Sequence, residues 1–162
     1  MQKDIWMSKK WMNNEAICCS ERRTGLYMRY DKDVDPEVKT AYKELVKWIR
    51  ARFCFPVRVT VYVKTSKRVV SKDGDFCVSV FFRPDSYQEE PYSRIATGDY
   101  KELVKKWGIQ KAKIAILMPL INDLTHYFQW LNGEKLTLIG EKRQATVYTN
   151  ALMEEYMDDM DG

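Results

Sequence analysis

An α+β fold is predicted by three features of the chain: a small, mostly antiparallel sheet packed on one long helix, with flanking helices. Apolar residues alternate with period two from Val57 to Val63 and again from Phe76 to Phe82, the pattern of half-buried strands. Apolar residues at helical spacing follow Asp35-Pro36 and recur in the last quarter of the chain. Between them, Ile114 to Asn132 has the length and periodicity of one long buried helix. With 162 residues, 45% of them hydrophobic, the chain is long enough to bury one core. The organisation expected is an N-terminal arm over residues 1–30 and a single domain over 31–162.

In order, Trp6, Met7, Trp11, Met12 and Ile17 follow neither period cleanly. Either the arm packs its aromatics onto the body, or it is a partner-binding arm, for which exposed Trp and Met are suitable anchors. Leu26 to Tyr30 reads as a short strand. A helix then starts at Asp35-Pro36-Glu37: Asp35 caps, Pro36 suits the first helical position, and Glu37 favours the positive end of the dipole. Val38, Tyr42, Leu45, Val46 and Ile49 form its apolar stripe to about Arg52. Pro56 opens a strand with Val57, Val59, Val61 and Val63 on its inner face. Turn chemistry at Ser71 to Asp75 leads into a second strand, with Phe76, Val78, Val80 and Phe82 opposite Cys77, Ser79 and Phe81. Tyr92 to Ala96 is a third. Tyr100 to Trp107 is a helix stopped by Gly108, and the long helix runs from about Gln110 to Trp130, stopped by Asn132-Gly133. The last helix spans Glu141 to about Met157, and its acidic end is expected to fray because negative charge opposes the dipole there.

Composition narrows the function classes. A net charge of +4, with the basic residues scattered, does not by itself indicate nucleic acid. The pairs Arg22-Arg23, Lys67-Arg68 and Lys105-Lys106 read as solvated surface, with a basic nucleic-acid-binding module as the alternative. No window reaches the apolar length of a membrane span, and the N-terminus has no continuous apolar run of a signal peptide. Cys18, Cys19, Cys54 and Cys77 form no spaced framework, so free thiols and a cytoplasmic location are expected.

The only histidine, His126, sits in the long helix as the last residue of Asn122-Asp123-Leu124-Thr125-His126. A zinc helix of the H-E-x-x-H kind places two histidines one turn apart on one face, with a glutamate beside the first as general base. Asn122 and His126 share a face. However, Asn122 offers only a neutral amide where zinc takes imidazole, carboxylate or thiolate.

Asn122 to Asn132, with its string Thr125-His126-Tyr127-Phe128-Gln129-Trp130-Leu131-Asn132, resembles small bacterial and phage zinc metallopeptidase-like proteins. Their motif reads H-E-L-T-H-Y-F-Q-W-x-N. Asp73-Gly74-Asp75, Phe81-Phe82-Arg83-Pro84, Glu90-Pro91-Tyr92, Arg94 to Tyr100 and Arg143-Gln144-Ala145-Thr146 extend the resemblance over roughly residues 27 to 157. The resemblance implies a zincin-like domain in which the helix after the motif supplies a third ligand. Carried over, the first ligand falls on Asn122, the base on Asp123 and the third ligand on Lys142. Only His126 is retained, and Glu141 lies one residue from the third position. Pro119 lies inside the motif helix and is expected to kink it.

The resemblance therefore implies a catalytically degenerate metallopeptidase-like protein whose ancestral zinc is lost. Asp123, His126 and Lys142 are expected to form a polar cluster, with Lys142 as the cation beside Asp123. Its role is expected to be binding of another macromolecule, such as a nuclease or nucleoprotein complex of host defence, in the manner of a phage or mobile-element anti-CRISPR protein. The candidate interfaces are Trp6 and Trp11 in the arm and Glu154, Glu155, Asp158 and Asp159 in the tail. The alternative is an active, divergent zinc peptidase with Asp123 as base and His126 and Glu141 as ligands.

Overall fold

The computed structural model describes residues 4–18 and 21–162. Cys19 lies outside the described residues. Cys18, Cys54 and Cys77 are free thiols.

Asp35 caps α3 (Pro36–Arg52) by accepting from the Glu37 amide, as its sequence predicts. The apolar stripe of α3 is buried in the core. This helix joins β1 (Leu26–Tyr30) to β2 (Val59–Lys64), and the two strands run parallel. A β-strand, a helix of this length and a second strand form a crossover unit, which returns the chain parallel to its start. β2 also pairs parallel with β6 (Tyr92–Ala96), and only β5 (Ser79–Phe82) pairs antiparallel, with β6. The four-stranded order is β1-β2-β6-β5. The expected mostly antiparallel sheet is thus corrected to a mixed one with two parallel pairings. The turn at Ser71 to Asp75 closes a separate two-stranded hairpin, β3 (Val69–Val70) with β4 (Phe76–Cys77), and does not connect sheet neighbours.

The second predicted strand faces the other way from its expectation. The chain breaks between β4 and β5 at Val78, leaving Phe76 and Val78 exposed, while Phe81 packs against the core. The β2 face is as expected, with Val57, Val59, Val61 and Val63 fully buried. Each such side chain contributes about 1.5–3 kcal/mol of burial.

α4 (Tyr100–Trp107) and α5 (Ile109–Leu131) meet at Gly108, which takes φ +84 between them. α5 is continuous through Pro119. Near that proline, the Ile116 carbonyl accepts from the buried Tyr42 hydroxyl. Tyr127, Phe128 and Trp130 are core residues. The Tyr127 hydroxyl donates to the Val57 carbonyl and accepts from the Val57 amide, satisfying the backbone just before β2. Trp130 Nε1 donates to the Pro84 carbonyl just after β5. The motif helix is in this way pinned to loops beside two different strands.

The first segments, α1 (Asp4–Met7), a 3-10 turn (Lys10–Asn13) and α2 (Glu15–Cys18), lie on the same core. Trp6 is only 2% exposed, its indole donates to Thr125, and its ring sits 4.8 Å from both Phe53 and Phe128. Trp6 therefore presents almost no surface, and Trp11 is half-buried against the same core. β1, at the end of the expected arm, is a strand of the central sheet.

α6 (Leu138–Asp161) starts earlier and ends later than expected. Thr137 caps it through the Gly140 amide, and its acidic end does not fray. Asp159 accepts from Trp48 Nε1 at 2.8 Å and pairs with Arg52 at 2.9 Å, and the Tyr156 ring lies against Trp48. These contacts outweigh a dipole term of about 0.3–1 kcal/mol. Asp159 is thereby committed inside the chain, while Glu154 and Asp158 stay exposed and Glu155 is half-buried.

No helix among the described residues is long and apolar enough to cross a membrane.

Candidate functional site

Between β5, α5 and the start of α6 lies a cleft of about 390 Å³. Asn122, Asp123, His126, Glu141 and Lys142 all line it, joined by Ser79, Phe81, Arg83 and Leu138. The residues singled out from the sequence therefore do share one site. Their pairings differ from those expected.

Asp123 is 3% exposed and has no ion-pair partner among the described residues. The expected Asp123–Lys142 pair is absent, and Lys142 is exposed. Three neutral donors hold the carboxylate instead: Ser79 Oγ from β5 at 3.1 Å, Ser93 Oγ from β6 at 2.5 Å, and the Asn122 side chain. Burial pushes its pKa up to about 6, against the opposing effect of those hydrogen bonds. A carboxylate turned into the sheet in this way is poorly placed to take a proton from a molecule in the cleft.

His126 Nδ1 lies 2.8 Å from Gln129 Oε1. Gln129 Nε2 donates to the Glu141 carbonyl and to Gln144 Oε1, so Gln129 Oε1 is the acceptor and His126 Nδ1 carries the proton. Burial lowers the His126 pKa, with Gln129 and Glu141 raising it and Arg83 and Lys142 lowering it. At neutral pH the ring is therefore neutral, with its lone pair on Nε2.

Glu141 is bound to Arg83 at 2.5 Å, with its side chain 13% exposed. This is the donor that could have replaced the missing third ligand, and a guanidinium occupies it. Lys142 has no carboxylate partner among the described residues. One free imidazole, one amide and an ammonium, with one carboxylate held by Ser79 and Ser93 and the other paired with a guanidinium, do not fit a zinc ion, whose ligands must be anionic or strongly basic. Among the described residues no three His, Cys, Asp or Glu side chains come together as a metal-holding group.

Arg83, Ser79, Ser93 and Gln129 were not singled out as site residues from the sequence. In the sequence Arg83 belongs to the Phe81-Phe82-Arg83-Pro84 stretch of the resemblance, with no role attached, and the two serines are alternating positions within strands. The cleft continues past Asn122 into a neighbouring groove of about 350 Å³ formed with Pro119, Val78 and Thr146.

Comparison of the chain with family models, with curated proteins and with solved structures gave no match.

Proposed function

We propose that this protein is a degenerate member of the zinc metallopeptidase-like family its motif helix resembles, and that it works by binding another macromolecule, not by cleaving one. The Arg83–Glu141 pair carries the reading, because it takes up the one carboxylate that could have served beside His126. Lys142 adds a second cation to the same cleft. With Arg83 committed to Glu141, it is Lys142, unpaired among the described residues, that opposes a dication and suits a carbonyl-rich or anionic segment of a protein partner. A nuclease or nucleoprotein complex of host defence is the class of partner proposed, with a phage or mobile-element protein as inhibitor. One feature favours the alternative of a divergent peptidase: the His126 tautomer leaves Nε2 free, as a metal-binding histidine requires.

Elemental mass spectrometry after zinc loading and removal of excess separates the two readings. A binding protein retains only trace zinc, unchanged by His126→Ala. One zinc per chain, lost in His126→Ala, would overturn the proposal.

A further inference from the structure

The sheet has a second face, turned away from α3 and α5. Its register places Tyr27, Thr60, Tyr92 and Phe82 in one cross-strand row, and Arg29, Tyr62, Arg94 and Val80 in the next. These positions are half-buried or exposed, and none of them is a carboxylate. The rings interleave: Phe82 stacks on Tyr92 at 5.0 Å, and Tyr62 meets Tyr92 edge-on at 6.1 Å. At the β1 edge, Tyr27 is 41% exposed, with the Arg29 and Arg58 guanidiniums 5.4 and 5.2 Å from its centroid.

Neither of those arginines, nor Arg94, has a carboxylate partner among the described residues. Arg58 donates to the Thr24 carbonyl and Arg94 to the Val70 carbonyl, while Arg94 Nε is buried and unpartnered. Two guanidiniums on one tyrosine repel each other, and an anion between them would relieve that repulsion.

The β3–β4 hairpin meets this face over β5 and β6, where Arg94 reaches Val70, and leaves the β1–β2 side exposed. From the juxtaposition there of Tyr27 with two arginines that have no carboxylate partner among the described residues, we infer that this side of the face binds single-stranded nucleic acid. Phosphates satisfy the arginines, and unpaired bases stack on rings and guanidinium planes. Only unpaired bases expose their faces to stack on such rings, which is why the single strand is the form assigned. None of the residues of this face lines the cleft, and its arginines are not those of the scattered pairs Arg22-Arg23, Lys67-Arg68 and Lys105-Lys106.

Fluorescence anisotropy with labelled oligo(U), oligo(dT) and a DNA duplex tests it, with salt raised from about 50 mM to about 200 mM. The full chain is expected to bind a single strand more tightly than the duplex, with affinity falling steeply with salt. The double variant Arg29→Gln/Arg58→Gln is expected to weaken binding at least about tenfold and to lower the salt slope by about 1.4, with an unchanged melting temperature. Tyr27→Leu is expected to weaken binding about tenfold with the salt slope unchanged, a stacking signature that charge alone would not produce. Lys105→Gln/Lys106→Gln on α4 is expected to change neither. No single-strand binding at the lowest salt would overturn the inference. So would tighter binding of the duplex, or an equal loss in the α4 variant. Arginine-dependent binding of poly-glutamate without oligonucleotide binding would assign the face to an acidic protein instead, and would overturn it as well.

Discussion

The two faces of the sheet treat charge in opposite ways. The inner face is lined by Val59, Val61, Val63 and Ile95, and it meets a buried carboxylate of α5, Asp123, held by hydroxyls and an amide with no cation among the described residues. The outer face carries Arg29, Arg58 and Arg94 among aromatic rings, and among the described residues none of the three has a carboxylate partner, the nearby Asp31 being paired with Lys64. A buried carboxylate held only by neutral donors costs stability when it ionises, whereas exposed arginines cost little and leave an anion site open. The inner anion therefore shapes the stability of the domain, and the outer cations shape what it attracts.

The largest effect expected on the inner side comes from its aromatic packing. Trp6→Ala removes the indole from Phe53, Phe128 and Thr125 and is expected to destabilise by about 3–5 kcal/mol. Urea unfolding measures it. A loss below about 1 kcal/mol would return the first helix to the status of an arm.

Asp123 comes next, with the opposite sign. Its folded pKa of about 6 lies above the unfolded value of about 3.9. The folded state then binds more protons between those values, so the stability this group contributes is complete below about pH 4 and is lost as pH rises through about 6. Asp123→Asn removes the ionisation and is expected to stabilise by about 1–3 kcal/mol at pH 7.5, with the gain vanishing near pH 4. The lowered pKa of His126 also weakens the fold as pH falls, so the comparison is made between variant and parent at each pH. A variant less stable than the parent at pH 7.5 would show that the carboxylate is matched by its donors and is no cost.

Much of the scaffold was legible because local chemistry marks it. Asp35-Pro36, Gly108 and Asn132-Gly133 delimit α3 and α5 to within a residue or so, through caps and stops that act over one turn. The valine alternation in β2 located its buried face. Strand direction was legible in principle, since a strand, a 17-residue helix and a strand make a crossover, but the turn at Ser71 to Asp75 suggested a hairpin between sheet neighbours. The facing of β5 was lost at Val78, where a break resets the alternation that a continuous strand would have kept.

Membership of the cleft was legible, since Asn122, Asp123 and His126 are neighbours on one helix. Its pairings were not. Asp123 finds Ser79 and Ser93, 44 and 30 residues away, and Arg83 reaches Glu141 from the end of another strand. Such pairings depend on how the sheet sits against α5, which no local signal encodes. A lysine next in sequence to Glu141 suggested a partner for Asp123, yet it stands at the exposed rim of the cleft and does not reach that carboxylate.

The central claim is that side chains, not the scaffold, decide whether this cleft takes zinc, and Asn122→His/Lys142→Glu tests it most directly. Calorimetric zinc titration of the parent and of the double variant is the measurement. The account expects no binding heat in the parent and a single site in the variant, where two imidazoles and a carboxylate would face one ion. A single zinc site in the parent, or no binding in either, would contradict it.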